Sequence, residues 1–258
     1  MPADKLRISA IPAFSDNYIW LLTAGGKACA VVDPGDEDPV LEVLRKEGLD
    51  LRYILLTHHH PDHTGGVPEL LEEFQATVYG PEDSRIPFID RICREGDHVR
   101  LEDLNAEFSV LEVPAHTRSH IAYFGEGALF SGDTLFSVGC GRFFEGTAAD
   151  MQSSLDKLAA LPGDTNNYCA HEYTQSNCAF ALQVEPDNAE LQARAQEVRD
   201  LRNAGKITLP TTLAGEIATN PFMRTRENSV VNAARKLDPG AGPGVTTMAA
   251  IRSWKDRF

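Results

Sequence analysis

Read as apolar and polar positions, the chain opens with short β-like runs. LRISAIP (6–12), YIWLLT (18–23) and ACAVVD (28–33) alternate or bury continuously between turn residues, and PVLEVLRKEG (39–48) then shifts to a helical spacing that Gly48 ends. RYILLT (52–57) reads as a buried strand. GVPELLEEF carries Val67, Leu70, Leu71 and Phe74 at helical spacing, and a strand returns at ATVYG (76–80). The middle repeats the theme with strands at EFSVLEVP (107–114), HIAYFG (120–125) and ALFSGD (128–133), a helix over DMQSSLDKLAAL, and a last strand near NYCAHE (167–172). Two β-rich halves with outer helices predict a layered α/β sandwich. Past residue 173 the β pattern fades, and 174–205, 227–236 and 246–256 are expected to be helical, with breaks at Gly205, Pro210, Pro221 and DPGAGPG. The expected division is a catalytic domain over 1–172 and a helical domain over 173–258.

Composition narrows the function. The chain has 258 residues and a formal net charge of −14, which repels phosphate backbones and argues against nucleic acid or an anionic membrane as partner. An anionic substrate would need a local concentration of basic residues. No apolar run approaches membrane-spanning length and MPADKLRISA lacks the apolar core of a signal peptide, so a cytoplasmic enzyme is expected. The cysteines Cys29, Cys93, Cys140, Cys169 and Cys178 are scattered without a C-x-x-C pair, and read as reduced packing residues rather than a disulfide framework or a thiolate zinc site.

The candidate chemistry is concentrated in LLTHHHPDHTGG (55–66). Extended residues two apart project to the same side, so His58 and His60 are expected to face together with His59 turned away. Pro61 disfavours a helical conformation at His60, after which a loop would present Asp62 and His63. Imidazole and carboxylate donors without thiolates suit Zn, Fe or Mn. Four residues are too few for two ions. His116, Asp133 and His171 each lie at the end of a predicted strand, where sites on sheets are built.

These residues carry a resemblance. THHHPDH (57–63) with Gly65 and Gly66 resembles the T-H-x-H-x-D-H-x-G-G signature of the metallo-β-lactamase superfamily, and VVDPG (31–35), HTRSH (116–120) and FSGDTLF (130–136) follow in that superfamily's order. The resemblance implies an αββα sandwich. SDNYIW (15–20), GCGRFFEGTAADM (139–151), HEYTQSN (171–177), NPFMRTREN (220–228) and the terminal RSWKDRF look like the glyoxalase II, or hydroxyacylglutathione hydrolase, family over nearly the whole chain. It implies a binuclear site: His58, His60 and His116 on one divalent ion, Asp62, His63 and His171 on the other, and Asp133 bridging. Zn is the expected metal, with Fe and Mn as alternatives. The implied reaction is hydrolysis of S-(R)-lactoylglutathione to glutathione and (R)-lactate by a metal-bridged hydroxide, with Asp62 and Asp133 the catalytic carboxylates, as the second step of methylglyoxal detoxification. His120 and Asp33 stand either as supports of the liganding imidazoles or as ordinary hydrogen-bonded residues.

The same resemblance assigns the glutathione moiety to Arg142, Phe144, Tyr173, Arg252 and Lys255, in a protein expected to be monomeric. Arg252 and Lys255 are three apart on a predicted helix and share a face, where favourable placement at a helix C-terminus is the lesser, structural alternative. Mammalian members carry Lys and Tyr where Arg142 and Phe144 stand, so one hydroxyl contact is missing here. A thiolate leaving group needs no general acid, and Cys140 reads as packing in a glycine-rich turn rather than as a nucleophile. Three rivals remain: an iron persulfide dioxygenase, disfavoured by the second ligand set; an RNA-processing nuclease, disfavoured by charge; and a non-catalytic metal-binding protein.

Overall fold

The computed structural model describes residues 5–258, and the chain folds as two compact units. One comprises residues up to Glu112 with Ser119–Gly132, the other Val113–Arg118 with Asp133–Phe258.

The first unit begins with a hairpin, β1 (Arg7–Ala13) against β2 (Asn17–Thr23), and β2 pairs antiparallel with β3 (Ala28–Val32). Helix α1 (Glu37–Glu47) starts where Asp36 accepts from the Asp38 amide and stops at Gly48, whose φ of 65° is open to glycine. Its buried stripe, Val40, Leu41 and Leu44, crosses the sheet and returns the chain to β4 (Asp50–Leu55), parallel to β3. The short α2 (Pro61–Thr64) and α3 (Val67–Glu73) lead to β5 (Thr77–Pro81) and β6 (Arg91–Cys93), both added in parallel. Val31, Ile54, Leu56, Val67, Leu70 and Val78 pack with the α1 stripe into one core, each contributing roughly 1.5–3 kcal/mol by leaving water.

A meander follows: β7 (His98–Leu101), β8 (Ala106–Glu112), β9 (Ile121–Gly125) and β10 (Ala128–Gly132), each antiparallel to the next. It is tied to the first sheet by the buried Tyr123 hydroxyl, which donates to the Leu56 carbonyl at 2.9 Å, and by the Ile121 amide donating to the Thr57 carbonyl at 3.0 Å. These bonds fix where β4 ends, and hence where the histidine turn begins.

The second unit contains a tight hairpin, β11 (Leu135–Phe136) with β12 (Gly139–Cys140), then α4 (Ala148–Ala159), opened by a capping box between Thr147 and Asp150. Strand β13 (Asn166–Cys169) precedes α5 (Thr174–Val184) and α6 (Ala189–Asn203). The expected helix over 174–205 is therefore two, because Pro186 has no amide to continue the ladder and Asn188 caps the next helix by accepting from Leu191 at 3.0 Å. Strand β14 (Thr211–Thr212) pairs with β13, and α7 (Leu213–Thr219), α8 (Asn228–Arg235) and α9 (Val245–Lys255) complete the chain. Among the described residues no helix is long and apolar enough to cross a membrane.

Candidate metal centre

In the first unit the site is organised by Asp33, just past β3. Its carboxylate accepts from the Thr57 amide (2.8 Å), the Thr57 hydroxyl (2.7 Å) and His63 Nδ1 (3.1 Å). The Thr57 hydroxyl spends its one proton on Asp33, so toward His58 Nδ1, 3.0 Å away, it acts as acceptor. Both Nδ1 atoms therefore carry hydrogen, and the lone pairs of His58 and His63 sit on Nε2. Each of these rings is fully buried, and His120 stacks on His58 at 4.6 Å and 17°.

The lone-pair nitrogens meet partners of the same kind. His58 Nε2 lies 3.1 Å from His60 Nδ1, and His63 Nε2 lies 3.4 Å from Asp62 Oδ2. A tetrahedral ion with ligands at about 2.0–2.1 Å sets neighbouring donors about 3.3 Å apart, which is this spacing. Asp33, His58 and His63 also cluster closely enough to hold an ion, but the Asp33 oxygens already accept three donors, which makes it a support. His59 turns away as alternation requires, its Nδ1 3.7 Å from Asp83, and the exposed His98 pairs with Glu107.

Asp62 and His63 emerge from the one-turn α2 rather than from a loop. His60 is its extended N-cap (φ −60°, ψ 143°) and Pro61 starts it, as its missing amide permits. Gly35 lets this turn come close, since a Cβ there would lie 1.9 Å from the Asp62 carbonyl. Asn17 supplies a contact the sequence did not announce: its amide donates to Asp62 Oδ2 at 3.0 Å.

The second unit holds the other candidate donors around Asp133, immediately after β10. Asp133 Oδ2 lies 3.3 Å from His116 Nε2, and Oδ1 lies 3.4 Å from His171 Nε2, so the two carboxylate oxygens serve different imidazoles. His116 Nδ1 donates to the Arg142 carbonyl at 3.1 Å, which leaves its lone pair on Nε2, toward Asp133. His116 and His171 are buried at the loops following β8 and β13, past the strand ends rather than within the strands. Nitrogen and carboxylate donors, buried and spaced in this way, fit divalent ions.

The residues expected to meet substrate differ in character. Phe144 is exposed and sits edge-on to His116 at 5.2 Å, and the Tyr173 ring stacks on His171 at 4.7 Å and 5°. Arg142, 62% exposed, has a loose ion pair with Asp256 at 3.4 Å. Arg252 is buried: its guanidinium donates to the Cys140 carbonyl at 2.8 Å, pairs with Asp256 at 3.1 Å and lies 5.2 Å from the Phe222 ring centre. Lys255 donates to the Asn177 amide oxygen and lies over Phe180; burial, then Arg252, lower its ammonium to about 8. All five cysteines are free and buried, and burial pushes the Cys140 thiol up, away from nucleophilic reactivity.

Comparison with known proteins gives this geometry a family. Residues 14–171 match the model of the metallo-beta-lactamase superfamily, and residues 172–258 match that of the hydroxyacylglutathione hydrolase C-terminus. The hydroxyacylglutathione hydrolase of Aliivibrio salmonicida is 54% identical over 255 residues, spanning 98% of this chain and 100% of its own. Among solved structures, ETHE1 from Myxococcus xanthus shares the fold (TM-score 0.65, 24% identity, 97% of each chain). TTHA1623, crystallised in a di-iron-bound form, superposes with a TM-score of 0.59 at 26% identity, covering 84% of this chain and 99% of that one. With its αββα fold, C-terminal helices and divalent metal site, the chain belongs to the hydroxyacylglutathione hydrolase family of the metallo-β-lactamase superfamily.

Proposed function

We propose that this protein hydrolyses S-(R)-lactoylglutathione to glutathione and (R)-lactate, the second step of methylglyoxal detoxification. The observation that carries the mechanism is Asp133, which turns one oxygen to His116 and the other to His171. In this reading His58, His60 and His116 would hold one ion and Asp62, His63 and His171 the other, with Asp133 as the ligand common to both. Zn is the metal proposed, though the nitrogen and oxygen donors also suit Fe and Mn. Two such ions, when bound, supply Lewis acidity that activates a water and polarises the thioester carbonyl.

The chain's own groups do the rest. Asp33, Thr57 and the Arg142 carbonyl fix the tautomers of His63, His58 and His116. Asp62, held by Asn17, orients the attacking water. Residues 1–172 carry this chemistry and 173–258 form the helical glutathione-binding domain, with Arg142 and Phe144 adding contacts from the first segment. Arg142 and Lys255 meet the glycine carboxylate of glutathione, Tyr173 its peptide, and Phe144 offers an apolar surface, while Arg252, buried against the Cys140 carbonyl and Asp256, supports the turn before Arg142 instead of meeting substrate. The departing thiolate belongs to an acid of pKa about 8.5 and needs no protonation to leave. We further propose a cytoplasmic monomer.

The test is metal analysis together with free-thiol release from S-lactoylglutathione. Two ions per chain and stoichiometric thiol are expected. Metal-replete protein that releases no thiol would overturn the activity, and one ion at full activity would overturn the binuclear assignment.

A further inference from the structure

The β11–β12 hairpin leaves from Asp133 and returns to Arg142, whose carbonyl accepts from His116. The carboxylate and the imidazole it faces are thus both chained to residues 135–140. Along this stretch the backbone is held by side chains arriving from far along the sequence. Asn167 donates to the Leu135 carbonyl at 3.0 Å and Asn177 to Ser137 at 2.9 Å. The Asn220 amide is shared between the carbonyls of Phe136 (3.3 Å) and Gly139 (2.9 Å), and Arg252 takes Cys140 at 2.8 Å. The Val138 amide donates to Glu216 Oε2 at 2.8 Å, to which Asn220 also donates at 2.9 Å, and the Thr211 hydroxyl holds the other Glu216 oxygen at 2.8 Å.

Two observations give this network a purpose beyond satisfying buried backbone. Val138 has a φ of 57°, at a turn position that Gly or Asn usually fills, and a β-branched residue is strained there. Its side chain is driven into the helical core among Cys178, Ala181, Leu191, Ala195 and Val198. Such strain persists only where the surroundings over-determine the conformation, and it gathers at functional sites. Gly139 also lies bare against Asn177: a Cβ there would fall 2.5 Å from the Asn177 amide nitrogen. The turn is pinned on both its polar and its apolar side.

We propose that Asn177, Glu216 and Asn220 are positioning residues for the hydrolysis: they clamp the hairpin so that Asp133 divides its two oxygens between His116 and His171. The inference rests on the reading of Asp133 as the bridging ligand. Outer partners of metal ligands typically influence affinity or activity about 10–100-fold, and here the influence travels through one tight turn of backbone. The helical segments then shape the metal centre as well as meeting glutathione.

The test compares Asn177→Ser, Asn220→Asp and the conservative Asn177→Gln. Readouts are zinc affinity by chelator competition, the visible spectrum of the cobalt-substituted protein, and the melting temperature of metal-stripped protein. The first two variants are expected to fold, to bind zinc about tenfold or more weakly, to shift the cobalt spectrum, and to lose more in kcat than they gain in KM, with Asn177→Gln keeping part of what Asn177→Ser loses. Unchanged affinity and spectrum in folded variants overturn the proposal, and so does failure of both to fold, which would make the clamp purely structural. Asp133→Ala is measured in parallel. Full metal retention there sinks the bridging reading itself, whereas metal loss there with none in the clamp variants sinks only the clamp.

Discussion

The side-chain amide of Asn17 donates to the Asp62 carboxylate at 3.0 Å and to the backbone carbonyl of the same residue at 3.3 Å. One residue of the first hairpin thereby sets both the position and the rotation of a candidate ligand whose side chain is otherwise 42% exposed. Asn17→Ala should leave the fold intact, because β1 and β2 pair through their backbones, yet let Asp62 rotate. Turnover is expected to fall about 10–100-fold, with one of two ions held less tightly in a chelator titration. Normal kcat and metal content would show that Asp62 needs no such hold.

Asp133→Ala removes the carboxylate that faces both His116 and His171. Metal content should fall from near two ions per chain toward zero and turnover should become undetectable, read by elemental analysis beside thiol release. Loss of a single ion would instead make Asp133 a ligand of one site.

Cys140→Ala tests covalent catalysis. The thiol is buried, its pKa raised by desolvation, and the Arg252 guanidinium lies 3.9 Å from it. The substitution should cost about 1 kcal/mol of packing and leave kcat within about an order of magnitude. Complete loss of turnover with metals and fold intact would make the sulfur a participant.

Lys255 is expected to make binding pH-dependent. Its ammonium, lowered to about 8 by burial and then by Arg252, faces Asp256, Cys140 and Cys178 as its other charged or titratable neighbours. KM for the glutathione thioester should rise as pH increases through about 8, because the cation is then lost, and Lys255→Arg should flatten that rise. For stability the sign is opposite. The folded state disfavours the charged form, so this lysine's cost is full below about 8 and vanishes toward the unfolded value of 10.5. Relative to Lys255→Met, the wild type should gain stability across that window. Parallel KM profiles for wild type and Lys255→Arg would remove Lys255 from carboxylate binding.

How much of this was legible beforehand depended on distance along the chain. The histidine turn stood out because six positions carry five metal-competent side chains, β1 and α1 because each presents a clean period, and β3 and β4 because each contains a short apolar run. Asn17 carried no such signal, since its partner lies 45 residues away. Strands β11, β12 and β14, two residues each, are too short for any period to register. The DPGAGPG break predicted where α9 would start, but nothing local foretold that Arg252 would be buried against a carbonyl 112 positions earlier.

That burial separates two arginines that the sequence placed in one role. Arg142 is 62% exposed with an ion pair at 3.4 Å, so its guanidinium can turn to a carboxylate at little structural cost. Arg252 is 5% exposed and committed to Cys140, Asp256 and the Phe222 ring. Arg142→Ala should therefore raise KM for the glutathione thioester about tenfold, toward the low end of a charge-assisted contact because solvent reaches it, while leaving kcat and Tm unchanged. Its effect should vanish on a small thioester lacking the glycine carboxylate, since the contact is shared by ground and transition states. Arg252→Ala instead strands a buried carbonyl, worth about 1–3 kcal/mol, or roughly 2–4 °C in Tm for each kcal/mol in a chain of this size. By loosening Cys140 it should lower kcat on both thioesters alike. If Arg252→Ala raised only KM, and only for the glutathione ester, Arg252 would be a direct reader of substrate and the structural commitment seen here would be incidental to its role.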